Sequence, residues 1–273
     1  MMLLGVISDA RAAHSLSPAM HNAVLAELGL DGVYLPFAVQ PDQLAAALAG
    51  LRALGLTGVN VTVPHKEAAA ALAEELTPQA AALGAVNTLA LRRGVLEGHN
   101  TDVDGFAQAL GQAGFAAGGR RCLVLGAGGA ARAVVQALHE QGAASVQVAG
   151  RSPRRARALT ERLGGEPLDL AQAAAVAGQA ELIVNATSVS SPAESPAMAA
   201  FALGLCLDSR CGLVMDINYG RAENIWARLA AASGAAFCDG LAMLACQARL
   251  SFFIWTGREV PLASFQRALE GVA

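Results

Sequence analysis

The sequence is short of charge and of aromatic rings: charged residues make up 15% and aromatic ones 4% of its 273 positions, against 54% hydrophobic. That balance excludes a disordered chain and leaves one large packed domain or two modest ones. A net charge of −3 lacks the basic excess that nucleic acid or an anionic membrane surface would require of a partner. Long hydrophobic runs are missing too; no uninterrupted apolar stretch reaches the ~18–20 residues of a membrane span. The opening MMLLGVISDARAAHS carries no basic region and no small-residue cleavage site, and reads as a buried first strand. Cysteine is scattered as Cys122, Cys206, Cys211, Cys238 and Cys246, without His or Cys neighbours at zinc spacing. These thiols read mostly as small core residues in a reducing cytoplasm, so neither a disulfide nor a metal site is expected.

What is present is alternation. LLGVIS (3–8) reads as a strand, and SPAMHNAVLAELGL (17–30) as a helix with a Ser cap and Pro at its first position. VYLPFAV (33–39), GVNVTV (58–63) and AVNTLAL (85–91) are further strands between Ala/Leu-rich helices, with Pro36 marking an edge. The alternation predicts an α/β fold with a mostly parallel sheet covered by helices. Near NTDVDGFAQALGQAGFAAGGRR (100–121) a second unit begins, with strands at 122–125, 145–150, 181–186, 213–218 and 235–240. The closing stretch is helical and is expected to return to the first unit, giving domains of 1–103 plus 240–273 and of 104–239.

The second unit opens on VLGAGGAAR, which fits the dinucleotide fingerprint at Gly126, Gly128 and Ala131. Glycines permit the tight turn, and the following helix offers unpaired N–H groups to a pyrophosphate. The motif alone is weak, but here an apolar strand precedes it and an amphipathic helix follows. An NAD site would place Asp or Glu at the end of the next strand. This chain instead has VAGRSPRRAR (148–157), where Arg151, Ser152 and Arg155 suit a 2′-phosphate and Arg154 does so less clearly. NADP(H) is the expected cofactor, the competing explanation being a solvated basic helix start that would oppose the helix dipole.

Three polar groups stand in the otherwise apolar first half. In HSLSPAMHN (14–22), Ser15 and Ser17 precede a helix N-terminus suited to a carboxylate, although Ser17 alone reads as an ordinary cap and His14 and His21 as structural. NVTVPHK (60–66) supplies Asn60, Thr62 and Lys66, and GAVNT…HNTDVDG supplies Asn87, Asn100, Thr101, Asp102 and Asp104. Asp102 also reads as a helix cap and Asp104 as a first-turn acid.

Taken in order, HSLSPAMHN, NVTVPHK, GAVNT, NTDVDG, GAGGAARA, NATS and DGLAMLACQA make a chain that resembles the shikimate dehydrogenases over nearly its whole length. The resemblance implies a two-domain, Rossmann-containing enzyme that reduces 3-dehydroshikimate to shikimate with NADPH. It implies that Lys66 and Asp102 form the catalytic pair, Lys66 giving the proton in reduction and Asp102 positioning it and the substrate hydroxyl. Ser15 and Ser17 would hold the substrate carboxylate, and Thr62, Asn87, Tyr219 and Gln247 its hydroxyls or ring. Gly126, Ala127, Gly128, Gly129 and Ala130 would face the pyrophosphate, Arg151 and Arg155 the 2′-phosphate, and Thr187, Ile217 and Gly240 the nicotinamide. A cytoplasmic monomer or homodimer acting on a cyclic hydroxy acid is the expected setting. Gly150 stands where the family commonly has Asn, DINYGRAEN lacks the usual Pro and Thr, and SDARAAHS is one residue longer. These departures leave open a paralogue acting on quinate or an amino-substituted analogue, and a silent NADP-sensing module as a further reading.

Overall fold

Strands and helices alternate through the whole computed structural model, which describes residues 1–270. The chain divides into two compact units, residues 1–105 with 244–273, and residues 106–243.

The first unit begins with β1 (Met2–Ser8), α1 (Ser17–Glu27), β2 (Gly32–Ala38), α2 (Leu44–Ala53), β3 (Gly58–Val61) and α3 (Lys66–Leu72). It continues with β4 (Glu75–Leu76), α4 (Pro78–Leu83), β5 (Thr88–Arg92), β6 (Val95–His99) and the start of α5 (Asp102–Gln112). Its sheet runs β2-β1-β3-β5-β6-β4. The β1–β2, β1–β3 and β4–β6 pairs are parallel, whereas β3–β5 and β5–β6 are antiparallel. This hairpin was not foreseen from the sequence. Its two-residue loop puts Arg93 at φ 53° and Gly94 at φ 82°, the paired left-handed conformation that suits a tight hairpin, but Arg is a poor signal for it.

β2 is an edge strand, as Pro36 suggested, and the Asn22 side chain covers that edge. Its Nδ2 donates to the Tyr34 carbonyl at 3.0 Å and its Oδ1 accepts the Tyr34 N–H at 2.8 Å. The helix at 17–30 starts differently from the expectation. Leu16 is the cap residue, Ser17 is the first helical residue, and Ser15 Oγ accepts the Ser17 N–H at 3.2 Å. Pro18 constrains the first turn, so the cap position falls one residue earlier and no side chain fills it.

The second unit holds the rest of α5 and then β7 (Arg121–Leu125), α6 (Gly129–Glu140), β8 (Ser145–Ala149), α7 (Pro153–Leu163), β9 (Glu166–Leu168) and α8 (Leu170–Val176). After these come β10 (Leu182–Asn185), α9 (Pro196–Leu203), β11 (Leu213–Asp216), α10 (Ile225–Ser233) and β12 (Ala236–Cys238). Every strand pairing is parallel, in the order β12-β11-β10-β7-β8-β9. Counted from β7, that order is 3-2-1-4-5-6, the doubly wound dinucleotide-binding topology, with its switch point between β7 and β10. Leu123, Leu125, Ile183, Val214 and Trp226 lie in the core on one face of this sheet.

The chain then returns to the first unit through α11 (Leu241–Thr256) and α12 (Leu262–Glu270). Trp255 Nε1 donates to the Leu89 carbonyl at 3.0 Å, and Ser264 Oγ donates to Glu27 at 2.8 Å. Between these helices and the sheet His21 lies fully buried, stacked on Tyr34 with ring centroids 4.4 Å apart and surrounded by Phe252, Trp255 and Phe265. Neither ring nitrogen has a hydrogen-bond partner among the described residues. Burial pushes its pKa down from 6.5 to about 3. The unfolded chain therefore binds the extra proton between those values, and stability is full above about pH 6.5 and lost as pH falls toward 3. The slope is about 1.4 kcal/mol per pH unit. Thermal melting at pH 5 should fall further in the parent chain than in His21→Phe, each measured against its own value at pH 7.5.

Candidate active site

The topology of the first sheet explains why its polar motifs meet. β1 and β3 run parallel, so the segments following both, carrying Ser15 and Thr62–Lys66, leave from one end of the sheet. β5 runs antiparallel to β3, which brings Asn87, just before its first residue, to the same end. β6 reverses again and delivers Asn100, Thr101 and Asp102 there. Asn87 caught in this way is tied on both sides: its carbonyl accepts the Val61 N–H at 2.8 Å, and its N–H donates to the His99 carbonyl at 3.1 Å.

Lys66 is the first residue of α3, and its carbonyl accepts the Val86 N–H at 2.9 Å. Lysine in a first helical turn opposes the helix dipole, so its place here needs another explanation. Its Nζ lies 2.5 Å from Asp102 Oδ2, with the two side chains only 10% and 5% exposed. A buried ion pair contributes little net stability because both charges must be desolvated. Its burial is more readily understood as chemistry. Asp102 is the first residue of α5 rather than its cap, and its second oxygen accepts from Asn87 Nδ2 at 2.8 Å. Asn87 Oδ1 in turn accepts the Thr101 N–H at 2.8 Å. Gly105 lets α11 approach, since a Cβ there would stand 2.7 Å from Gln247 Cβ. Gln247 Oε1 consequently reaches Asn87 Nδ2 at 3.4 Å and Thr101 Oγ1 at 3.5 Å.

Lys66, Asn87, Asp102 and Gln247 are thus brought into one hydrogen-bonded group. Ser15 and Thr62 are half-buried and follow β1 and β3 at the same sheet end, while Ser17 is buried in the first turn of α1. Tyr219 belongs to the second unit. Thr88 and Ser251, both buried in the same polar cluster, were missed from the sequence because a lone hydroxyl inside an apolar strand or helix reads as neutral filling.

In the second unit the glycine turn follows β7 at the switch point. Gly126 has φ +126°, and a Cβ there would meet the Ala186 carbonyl oxygen at 2.5 Å. Gly128 is the cap residue of α6, no side chain caps that helix, and a Cβ at 128 would meet nothing within 4 Å. The approach to the helix N-terminus is open, as a pyrophosphate requires. Ala131 is fully buried, which gives the close helix–strand packing of the fingerprint's third small position. Arg151 and Arg155 are exposed at the end of β8 and the start of α7, where Ser152 Oγ caps the helix by accepting the Arg155 N–H at 3.4 Å. No acidic residue stands in that first turn.

The opposite lip of the switch point is built from polar side chains. Thr187 Oγ1 donates to Asn185 Oδ1 at 2.7 Å and accepts the Val189 N–H at 3.1 Å, so its hydroxyl serves its own turn. Asp216 is fully buried and accepts from Asn185, Asn218 and Asn224. Burial pushes its carboxyl up, and these donors pull it back toward the charged form. This cluster, not foreseen from the sequence, ties the loop carrying Thr187 to the one carrying Ile217 and Tyr219. At Gly240 a Cβ would come 2.2 Å from the Ile217 carbonyl oxygen, so only glycine permits that approach. Cys122 and Cys211, pushed up by burial to about 12 and about 11, are inert thiols. Among the described residues there is no cluster able to hold a metal and no helix long and apolar enough to cross a membrane.

A dinucleotide-type sheet with an open glycine turn, in a chain whose other unit buries a lysine–carboxylate pair, defines a two-domain dehydrogenase of the Rossmann class. Family models match along the chain: a shikimate dehydrogenase substrate binding domain at residues 7–89, shikimate/quinate 5-dehydrogenase at 109–223, and a shikimate 5'-dehydrogenase C-terminal domain at 240–270. The shikimate dehydrogenase (NADP(+)) of Citrifermentans bemidjiense is 43% identical over 269 residues, covering 94% of this chain and 90% of that one. Among solved structures, the Aquifex aeolicus shikimate dehydrogenase superposes with a TM-score of 0.88 at 36% identity, covering 98% of this chain and 97% of its own. The Thermus thermophilus shikimate 5-dehydrogenase, solved with NADP(H) and shikimate, superposes with a TM-score of 0.86 at 38% identity over the full length of both. This chain belongs to the shikimate dehydrogenase family.

Proposed function

We propose that this chain catalyses the reversible NADPH-dependent reduction of 3-dehydroshikimate to shikimate, with Lys66 and Asp102 handling the proton. The observation that carries the assignment of roles is the buried Lys66–Asp102 pair at the sheet end where the loops of Ser15 and Thr62 also leave. Bound NADPH supplies the hydride to the ring carbonyl carbon. Lys66, paired with Asp102, donates a proton to the carbonyl oxygen, and takes it back in the oxidation direction. Asp102 holds the lysine amine and accepts from the substrate hydroxyl. Ser15 and Ser17 bind the carboxylate, while Thr62, Asn87, Gln247 and Tyr219 orient the ring. Gly126 to Ala130 hold the pyrophosphate, Arg151, Ser152 and Arg155 the 2′-phosphate, and Thr187, Ile217 and Gly240 border the nicotinamide.

The test is NADPH oxidation with 3-dehydroshikimate, run beside 3-dehydroquinate and with NADH in place of NADPH. The proposal requires the fastest turnover on 3-dehydroshikimate with NADPH; faster reduction of 3-dehydroquinate would make the chain a quinate enzyme instead. Arg151→Ala with Arg155→Ala should raise the KM for NADPH tens-fold, as loss of charge-assisted bonds of about 1.5–3 kcal/mol implies. NADH kinetics should stay within about twofold, since NADH lacks the phosphate.

A further inference from the structure

From Asp102 a line of buried polar side chains runs through Asn87 into the core of the first unit. Tyr34 O–H donates to Asn60 Oδ1 at 2.7 Å. Asn60 Nδ2 donates to Thr88 Oγ1 at 3.1 Å, and Thr88 Oγ1 donates to Asn87 Oδ1 at 3.0 Å. Asn87 Nδ2 then donates to Asp102 Oδ1 at 2.8 Å. All of these residues except Asn60, at 6%, are no more than 4% exposed.

Neighbours fix the direction of the Tyr34–Asn60, Asn60–Thr88 and Asn87–Asp102 bonds. Asn87 can face only one way, because the Thr101 N–H at 2.8 Å is a donor that demands its oxygen. Asn60 likewise turns its amide nitrogen toward the Asn87 carbonyl, an acceptor at 3.2 Å, leaving its oxygen for Tyr34. Ser251 Oγ, 2.8 Å from Thr88 Oγ1, gives its own proton to the Gln247 carbonyl at 3.0 Å. Ser251 Oγ is thereby an acceptor as well, so the single Thr88 proton has two acceptors within reach, Ser251 Oγ at 2.8 Å and Asn87 Oδ1 at 3.0 Å. With the Thr88 proton on Asn87 Oδ1, four bonds donate head to tail toward one carboxylate, and bonds in such a series polarise one another in the same sense.

Packing alone does not call for this arrangement. A valine would fill the volume of Thr88, and buried polar groups stabilise a core only when every one is satisfied. We infer that Thr88 is a positioning residue for the reaction: its hydroxyl, fed by Tyr34 and Asn60, locks the Asn87 amide onto Asp102 and so holds the carboxylate in register with Lys66. The inference rests on Lys66 and Asp102 being the reacting pair. A strap that merely joins α11 to the sheet would use the same hydroxyls, and kinetics distinguish the two roles.

In steady-state NADPH oxidation with 3-dehydroshikimate, Thr88→Val should lower kcat about tenfold and leave both KM values within about twofold, the pattern of an interaction felt in the transition state. Thr88→Ser, which restores the hydroxyl, should recover kcat to within about threefold of the parent. Tyr34→Phe removes only the outermost donor and should lower kcat by about two- to fourfold, which keeps the inference testable if the valine variant folds poorly by thermal melting. In an Asp102→Asn background the loss caused by Thr88→Val should disappear, because the carboxylate it serves is gone. Parent-like kcat in Thr88→Val, equal losses in the valine and serine variants, or a loss that persists beside Asp102→Asn would each overturn the inference. Lys66→Ala is assayed alongside: if it collapses turnover while Thr88→Val does not, only the positioning role falls. If Lys66→Ala turns over normally, the catalytic assignment falls and the positioning role with it.

Discussion

Lys66→Ala should reduce 3-dehydroshikimate about 10²- to 10⁴-fold more slowly than the parent chain, the range over which a positioned proton donor acts. The KM for the ring substrate should stay within a few-fold if the lysine contributes to the transition state more than to the ground state. The geometry behind this is specific: the amine is held at 2.5 Å by Asp102, whose other oxygen is held by Asn87 at 2.8 Å. Steady-state kinetics with a melting curve on the same preparation make the check. A large rise in KM with turnover intact would make Lys66 a binding group only, and loss of both turnover and melting midpoint would make it a structural one.

The second large effect lies in the other unit and separates the roles of two glycines in the same turn. Gly126→Ala forces a φ near +126° on a residue with a Cβ, at a cost of about 1–3 kcal/mol. The new Cβ also collides with the Ala186 carbonyl at 2.5 Å. Neither side can retreat: the Gly126 N–H is bound to the Ala149 carbonyl and the Ala186 N–H to the Leu125 carbonyl, both at 2.7 Å. Overpacking of that kind adds a further ~1–3 kcal/mol. Gly128→Ala meets no protein atom within 4 Å, so the unit should melt as the parent does. Its methyl nonetheless occupies the approach to the α6 N-terminus, and NADPH titration should show weaker binding without loss of fold. Equal melting of the two variants would sink this account of the turn.

The contrast shows which parts were legible in the sequence. The glycine turn was legible because φ and close approach restrict the residue type at single positions, and the basic segment because charge sign decides between two nucleotides. The inner strands of the second sheet, β7, β10 and β11, were legible because parallel strands buried on both faces are continuous apolar runs. The Arg93–Gly94 hairpin and the short strands at 75–76 and 166–168 were not, since they are specified by backbone pairing with partners far along the chain. The polar residues around Lys66 could be named individually. Their shared end of the sheet rests in part on β5 running antiparallel to β3, a reversal that periodicity cannot report. Thr88 and Ser251 were hidden for a related reason: a hydroxyl has no sequence signature until its partners, Asn60 among them, are known.

The return of α11 and α12 to the first sheet also sets the order in which the molecule can be completed as it is made. Ser251 reaches Asn60, Trp255 reaches Leu89, and Ser264 reaches Glu27. Residues 106–243 are contiguous and can close as soon as they leave the ribosome. The portion synthesised first must wait for the cover that α11 and α12 add beside α1 until translation has passed through the whole nucleotide-type unit. The contacts that these early residues make with α11 and α12 are therefore the last to form.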